Sequence, residues 1–261
     1  MKYKPGHKNL IKRITICVIY TLGIYLLITK MMQVENNKNA NTDASTRNEV
    51  TQKGLSDTAV NQNKKAVRYV SSSMIKEAPQ IAITFDDGPS KAWTGRLLDG
   101  LKERNVKATF FLIGENVKSA PEIVKREADE GHLVGNHTYH HVEITRVPDE
   151  KAKEEILMTN EAITEITGEE VSYMRPPFGA WQKQLEWELD VMPVMWTIDP
   201  LDWTTNNEDE IVNKVVTQAK ENDIILLHDC YESSVNAALR IIDTLQKEGF
   251  EFVTVDKLIL E

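Results

Sequence analysis

The sequence predicts an α/β protein in which a parallel sheet is wound into an incomplete or distorted barrel, preceded by a transmembrane helix and a disordered tether. Three observations carry this reading. From about residue 67 to residue 261, short apolar runs alternate with amphipathic helical patterns, as parallel strands joined by crossover helices do. About seven such units share these 195 residues, which suits a barrel better than an open sheet. Ahead of them, residues 14–29 hold no charged side chain, and residues 33–66 are rich in Asn, Thr, Lys, Gln, Ser and Asp with few large apolar groups.

The N-terminal part divides into a basic head, residues 1–13, and an apolar segment, residues 14–32. The head holds Lys2, Lys4, Lys8, Lys12 and Arg13 and no acid, a charge of +5. Sixteen uncharged residues are slightly short of a span. Leu10-Ile11 and Met31-Met32 lengthen it if Lys12, Arg13 and Lys30 snorkel to the interface. Basic flanks stay on the cytoplasmic side. The expectation is a single-pass anchor in the cell membrane, with the N-terminus cytoplasmic and everything beyond residue 32 extracellular. A cleaved signal peptide is the alternative, but no small-x-small cleavage site follows the apolar run. Residues 33–66 then form a solvated linker. With +5 on the head and +2 on residues 14–66, the net −9 leaves −16 for residues 67–261. A domain so acidic argues against nucleic acid as a partner. The chain is expected to be a monomer. Its only cysteines are Cys17 and Cys230, and no intramolecular disulfide is expected.

Within the main domain the apolar runs predict strands over 81–85, 108–113, 133–134, 171–174, 194–198, 224–227 and 250–255. Helical periodicity predicts helices over about 93–104, 121–130, 149–167, 182–189, 208–220 and 235–247, with a last helical turn after 255. Pro121 belongs in a first turn, and Gly168 marks a stop.

Barrels of parallel strands place their chemistry at the carboxyl ends of the strands. The unusual residues of this sequence fall there. Asp86-Asp87-Gly88-Pro89 closes the first strand. Two adjacent carboxylates repel each other, and a divalent metal is the usual remedy, although the tetrapeptide alone is equally a plain surface turn. Gly135-Asn136-His137-Thr138-Tyr139-His140-His141 follows the third strand. His137 and His141 are four apart, so on a helical turn they share a face and can ligate one ion, while His140 points elsewhere. Two histidines and one carboxylate make a catalytic metal site with a coordination position to spare. The second aspartate is then free as a base. Arg175, ahead of the stiff Pro176-Pro177, offers a planar cation to hold that aspartate ionised, and Phe178-Gly179 can present an N–H to an oxyanion. His228 ends a very apolar strand, and Asp199 and Asp202 supply carboxylates that could orient it as a general acid. Trp203 is core or a pocket wall. Trp93, Trp181, Trp187 and Trp196 are assigned to packing, and His132 to a structural or exposed position.

Five blocks occur in order: Thr84-Phe85-Asp86-Asp87-Gly88-Pro89, His137-Thr138-Tyr139-His140-His141, Arg175-Pro176-Pro177-Phe178-Gly179, Asp199-Pro200-Leu201-Asp202-Trp203 and Ile225-Leu226-Leu227-His228. Together they resemble the polysaccharide deacetylases of carbohydrate esterase family 4, the NodB-homology domain, over roughly residues 78–258. The resemblance implies a distorted (β/α)7 barrel. It implies Asp86 as general base paired with Arg175, and Asp87, His137 and His141 as ligands of a divalent metal, zinc first, with cobalt, nickel or manganese as alternatives. It also implies Asp202 orienting the general acid His228, the Phe178 N–H at the oxyanion, and Pro177, Phe178, Trp203 and Leu226 as substrate contacts. The family usually has Tyr where Phe178 stands. The reaction implied is metal-assisted hydrolysis of N-acetyl groups on N-acetylglucosamine residues of a polysaccharide. An anchored outside domain suits peptidoglycan first, and chitin-like or secreted glucosamine polymers second. The competing readings are a glycan-binding module with a dead site and an O-deacetylase acting on an acetyl ester.

Overall fold

The computed structural model describes residues 78–181, 185 and 189–259. The basic head, the anchor and the linker lie outside these residues. So does most of the helix expected over 182–189, of which Leu185 and Leu189 are described and buried. Among the described residues no helix is long and apolar enough to cross a membrane.

In chain order the elements are β1 (Gln80–Asp86), α1 (Thr94–Glu103), β2 (Thr109–Leu112), α2 (Gly114–Ser119), α3 (Pro121–Asp129), β3 (Leu133–Asn136), α4 (Asp149–Thr167), β4 (Tyr173–Met174), β5 (Met192–Pro193), α5 (Glu208–Val216), β6 (Ile224–His228), α6 (Glu232–Lys247), β7 (Glu251–Val253) and α7 (Val255–Ile259). Short 3-10 turns occupy Ile144–Arg146, Pro177–Gly179 and Asp202–Thr204. The strands are parallel, in the order β5-β4-β3-β2-β1-β6, with β7 also on β1. Ala82 pairs with both Ile224 and Val253, and Phe85 with both Phe110 and Leu227. One edge of β1 is therefore shared end to end by β7 and β2, while β6 takes the other. The result is a parallel-sheet half-barrel. Its far edges are linked by the stretch after β5, where the Val194 N–H donates to the Met174 carbonyl at 2.8 Å and the Leu226 N–H donates to the Ile198 carbonyl at 2.9 Å.

Strand alternation decides what each face of β1 does. Ile81, Ile83 and Phe85 join the large core cluster with Leu97, Leu98 and Leu101 of α1 and Ile241, Ile242 and Leu245 of α6. Burying each such side chain is worth about 1.5–3 kcal/mol. Ala82 belongs to a second cluster with Phe111 and Val194, so Ala82, Thr84 and Asp86 face the concave side. The helices do what their sequences predict. In α4, Asp149 and Glu150 sit in the first turn, where the helix dipole favours anions, and Gly168 ends it at φ 78°. Gly135 is required by packing, since a Cβ there would meet the Phe111 ring at 2.7 Å and the Tyr173 carbonyl at 2.9 Å.

Two expectations change. The helix α2 was not foreseen in the six residues after β2. The strand expected over 194–198 is displaced to Met192–Pro193, with Ile198 making a single bridge to Ile225. The cause is Arg175, whose Nε donates to the Val194 carbonyl at 3.1 Å and whose Nη2 donates to the Met195 carbonyl at 3.3 Å. Those carbonyls serve a side chain instead of a ladder.

Candidate active site

Register carries the chemistry to one rim. Asp86 lies opposite Phe111 on one side and His228 on the other, Phe111 lies opposite Gly135, and Leu112, Asn136 and Met174 form the next row. The residues just beyond these rows are Asp87, His137 and Arg175. With His141, Pro176, Phe178, Trp196, Asp199, Trp203, Leu226, His228 and Tyr231, they enclose or adjoin a cavity of about 460 Å³ whose lining includes Asp86, Asp87, His137 and His228.

Asp86 and Asp87 have opposite surroundings. Asp86 is buried and accepts from Arg175 Nη1 at 2.7 Å, the same nitrogen that donates to Thr84 Oγ1 at 2.7 Å. Arg175 is itself fully buried, with its guanidinium 4.4 Å over the Phe111 ring. Burial pulls the Arg175 pKa down, and the Asp86 carboxylate opposes that pull. Guanidinium stays protonated in proteins, so Asp86 faces a fixed positive charge.

Asp87 stands in the left-handed region at φ 71°, its carbonyl accepting from Asn116 Nδ2 of α2 at 2.9 Å. Its Oδ1 is buried and accepts no hydrogen bond, although His137 Nε2 and His141 Nε2 stand 3.4 and 3.3 Å away. Burial opposes ionisation of this carboxyl, but His137, His228 and His141 outweigh it and hold the pKa below the usual carboxylate value. One ligand atom from each of Asp87, His137 and His141 lies within 4.8 Å of the others. With zinc bonds of about 2.0–2.1 Å, tetrahedral ligand atoms sit about 3.3–3.4 Å apart. The carboxylate-to-imidazole spacings match that edge, and an orphaned buried carboxylate oxygen is what an absent cation leaves behind. The residues fit a divalent metal. His137 Nδ1 lies 2.6 Å from the Arg175 carbonyl, so it carries the proton and leaves the Nε2 lone pair toward the cluster.

The histidines do not meet on a helical turn, as their spacing suggested. Thr138 and His141 both adopt positive φ, 61° and 54°, and the segment is a loop. Two residues missed in the sequence shape it. Asn136 Oδ1 accepts from the Thr138 N–H at 2.7 Å. Glu155 of α4, fully buried, accepts from the N–H groups of Tyr139 and His140 through Oε2 at 3.1 and 2.8 Å. Its Oε1 holds His140 Nδ1 at 2.9 Å, so His140 does point away from the cluster. For Glu155 the one hint was its place, with Thr159, on the face of α4 that Ala152, Ile156, Ala162 and Ile163 make apolar, which does not say what it meets.

On the opposite wall, His228 Nδ1 lies 2.8 Å from Asp202 Oδ1, and the His228 N–H donates to Asp202 Oδ2 at 2.8 Å. Burial opposes the imidazolium, but buried Asp202 wins and pushes the His228 pKa up to about 9. Its Nε2 reaches to 4.0 Å from Asp87 Oδ2. Asp199 is exposed and caps its own loop, accepting from the Leu201 N–H at 2.8 Å, so orientation of His228 falls to Asp202. Asp229 lies behind the Asp87-Gly88 turn, where it accepts from Thr94 Oγ1 and burial pushes its pKa up to about 7.

The walls amend three expectations. Pro176 lines the cavity, whereas Pro177 is buried and does not. Trp196, assigned to packing, lines it, 5.6 Å from the Arg175 guanidinium. Tyr231, which no sequence pattern singled out, lines it too and is 41% exposed. Phe178, Trp203 and Leu226 line it as well, the first two largely exposed. His132 is structural: its Nδ1 accepts from the Ala108 N–H at 3.1 Å, and burial lowers its pKa to about 4.

Comparison with known proteins agrees with this geometry. The polysaccharide deacetylase family model matches residues 74–194. A peptidoglycan-N-acetylglucosamine deacetylase of Bacillus cereus is 40% identical over 186 residues, covering 69% of this chain and 68% of the relative. The chain belongs to the polysaccharide deacetylase family. Members of this family are hydrolases, and they are metal-dependent. The peptidoglycan-N-acetylglucosamine deacetylase PgdA of Listeria monocytogenes is 39% identical over 211 residues, 78% of this chain. The chain spans about half the length of that relative, 45% of it. The solved structure of the peptidoglycan deacetylase PdaC from Bacillus subtilis superposes with a TM-score of 0.68 at 39% identity, covering 69% of this chain and 90% of that one.

Proposed function

We propose that the chain is a membrane-anchored hydrolase that removes N-acetyl groups from N-acetylglucosamine residues of peptidoglycan, releasing acetate, with zinc as the ion held by Asp87, His137 and His141. The observation that carries this is a base and an acid on opposite walls of one cavity, Asp86 against Arg175 and His228 against Asp202, with the metal-fitting cluster between them. When bound, a divalent ion supplies Lewis acidity toward the acyl oxygen and makes water a better proton donor.

The protein's own residues do the rest. Asp86, paired with Arg175, takes a proton from the attacking water as the C–O bond forms. The Phe178 N–H, turned by a backbone at φ 61°, is assigned to the oxyanion. His228, protonated at neutral pH, gives its proton to the sugar nitrogen as the C–N bond breaks, leaving acetate and a free amine. The exposed faces of Phe178 and Trp203 border a sugar ring. The distorted (β/α)7 barrel inferred from the motifs is consistent with the seven parallel strands. The reading includes an anchor over residues 14–32 and a linker over 33–66, supported by the uncharged run of residues 14–29 and the polar composition that follows it, with the domain outside the membrane.

Relatives' names support peptidoglycan but divide on the sugar, since PdaC is a peptidoglycan-N-acetylmuramic acid deacetylase. The test is mass spectrometry of the zinc-loaded, detergent-solubilised chain on purified muropeptides, chitooligosaccharides and an acetyl ester side by side. Loss of 42 mass units from the glucosamine unit of muropeptides is expected, abolished by a chelator and restored by zinc. Loss from the muramic unit, or from the ester alone, replaces this substrate by another. No loss from any of them returns the protein to the glycan-binding class.

A further inference from the structure

Asp87 keeps a backbone conformation that it would not choose alone. At φ 71° it stands in the left-handed region, which a residue with a side chain holds only where its surroundings fix it. The turn that begins there is gripped from two sides. On one side, Asn116 Nδ2 donates to the Asp87 carbonyl at 2.9 Å, and the Ile113 N–H donates to the Gly88 carbonyl at 3.1 Å. On the other stand two residues outside the five strand-end motifs, Thr94 at the start of α1 and Asp229 just past the end of β6. Both are fully buried.

These two form a chain of contacts back to the turn. The Ser90 N–H donates to Thr94 Oγ1 at 2.7 Å, and Thr94 Oγ1 donates to Asp229 Oδ2. The Asp229 carboxylate then lies directly against Gly88. A Cβ at that position would meet Oδ2 at 2.6 Å and Oδ1 at 2.7 Å. Gly88 is not among the residues of positive φ, so the close approach alone demands a glycine there. Asp229 cannot swing aside without giving up the Thr94 hydroxyl. Asp86 pairs with His228 in the ladder, so Asp87 and Asp229 leave the sheet side by side. His228 lines the catalytic cavity, while Asp229 turns away from it, behind the turn. Its Oδ1 is buried with no partner among the other described residues, a cost that calls for a reason.

We propose that Asp229 is a positioning residue for Asp87. Its carboxylate, held by Thr94, sets the close approach at Gly88 and so aims the Asp87 side chain at His137 and His141. The proposal rests on the reading of those three residues as the metal site.

The test uses the detergent-solubilised full chain. Zinc affinity is measured by competition with a chromogenic chelator, and visible absorption is recorded for the cobalt-loaded protein. The variants are Asp229→Ala, Asp229→Asn, Gly88→Ala and the double variant Gly88→Ala/Asp229→Ala, with Asp87→Ala as control. Asp229→Ala should bind zinc about tenfold more weakly, at the low end for groups that orient metal ligands, and its cobalt spectrum should shift. Asp229→Asn keeps the size and an acceptor for Thr94, and should stay near wild type in both readouts. Gly88→Ala drives a methyl group into the carboxylate and should also weaken zinc. The double variant removes that clash and should recover part of the loss.

A purely structural role would lower the urea midpoint and leave zinc affinity and the cobalt spectrum alone, and that result overturns the proposal. Losses that simply add in the double variant overturn it too, as does an Asp229→Asn variant as weak as Asp229→Ala. If Asp229→Ala does not fold, Thr94→Val decides, since it removes the hydroxyl at nearly constant shape. Weaker zinc binding then supports the proposal, and wild-type affinity overturns it. If Asp87→Ala binds zinc as tightly as wild type, the metal reading itself fails, and the proposal falls with it.

Discussion

The two walls of the catalytic cavity are built from the same pair of charges used in opposite directions. On one, Arg175 is fully buried and Asp86 faces the cavity. On the other, Asp202 is buried and His228 faces the cavity. The contacts are nearly equal in length, 2.7 Å and 2.8 Å. What differs is which member can change its charge. Arg175 cannot lose its proton, so Asp86 returns to the carboxylate after each transfer. On the other wall His228 is the member that gains and loses a proton, its pKa raised to about 9 beside Asp202. A base and an acid therefore follow from which partner the fold buries. The depth differs as well. Arg175 donates to Thr84, Val194 and Met195 besides Asp86, whereas the His228 ring has its one side-chain hydrogen bond among the described residues with Asp202.

The sharpest way to break this contrast is to remove each buried partner's cation or acting group. Arg175→Met leaves the Asp86 carboxylate buried without its counter-charge, and removing one member of a buried pair costs about 3–5 kcal/mol. Urea unfolding of that variant should show a loss of this size, with deacetylation at background. Arg175→Lys restores the charge but not the forked donors, so little stability should return. His228→Ala should keep bound zinc and lose less stability than Arg175→Met, because Asp202 still accepts the residue-228 N–H, while kcat falls about 10²–10⁴-fold, the worth of a general acid. Equal destabilisation by Arg175→Met and His228→Ala would mean the two walls are not differently built.

A smaller effect sharpens the acid wall. Asp202 raises the folded pKa of His228 from 6.5 to about 9. The interaction therefore stabilises the fold fully below pH 6.5, and that part is lost as pH rises through about 9. Asp202→Asn removes the charge that favours the imidazolium, so the alkaline limb of kcat should move to lower pH by about 1–3 units. The acid limb should stay. An alkaline limb at wild-type position would show that another group donates the proton.

The contrast also explains what could be read from the chain. The acting residues were legible because strands are short, apolar and parallel, and each carries its polar residue where the run ends: Asp86 after Ile81–Phe85, His228 after Ile224–Leu227. Their supports were not. Asn116 and Glu155 act across elements, from α2 and α4, and no local pattern tells which side chain will meet which backbone, while Asn136 turns the loop only two residues on, at Thr138. The histidine pair was found by its spacing but for the wrong reason, since positive φ at Thr138 and His141 rather than a helical turn brings the rings within 5.0 Å of each other. The strand over 194–198 failed because its β-branched and apolar residues speak for a ladder, while a buried arginine from another strand claims its carbonyls. Pro176 and Pro177 could not be told apart, because which of two adjacent residues faces a cavity depends on the turn that follows.

Glu155 offers the mildest test, and it separates the metal cluster from both walls. It binds no cluster residue through a side chain. It holds the N–H groups of Tyr139 and His140, between the two histidine ligands, and Lys151 stands 3.0 Å from its Oε1. Burial alone would raise its pKa, but His140 and Lys151 hold it below the usual value, so the acceptor is a carboxylate. Glu155→Gln keeps the size, weakens the two backbone contacts and leaves Asp86, Arg175, Asp202 and His228 untouched. Zinc affinity, measured by competition with a chromogenic chelator, should fall about tenfold, at the low end for groups that orient metal ligands. At saturating zinc, kcat and its pH profile should return to wild type, because neither wall has moved. If kcat stays low at saturating zinc, the histidine loop positions the substrate as well as the metal, and the division between cluster and walls is less clean than the geometry suggests.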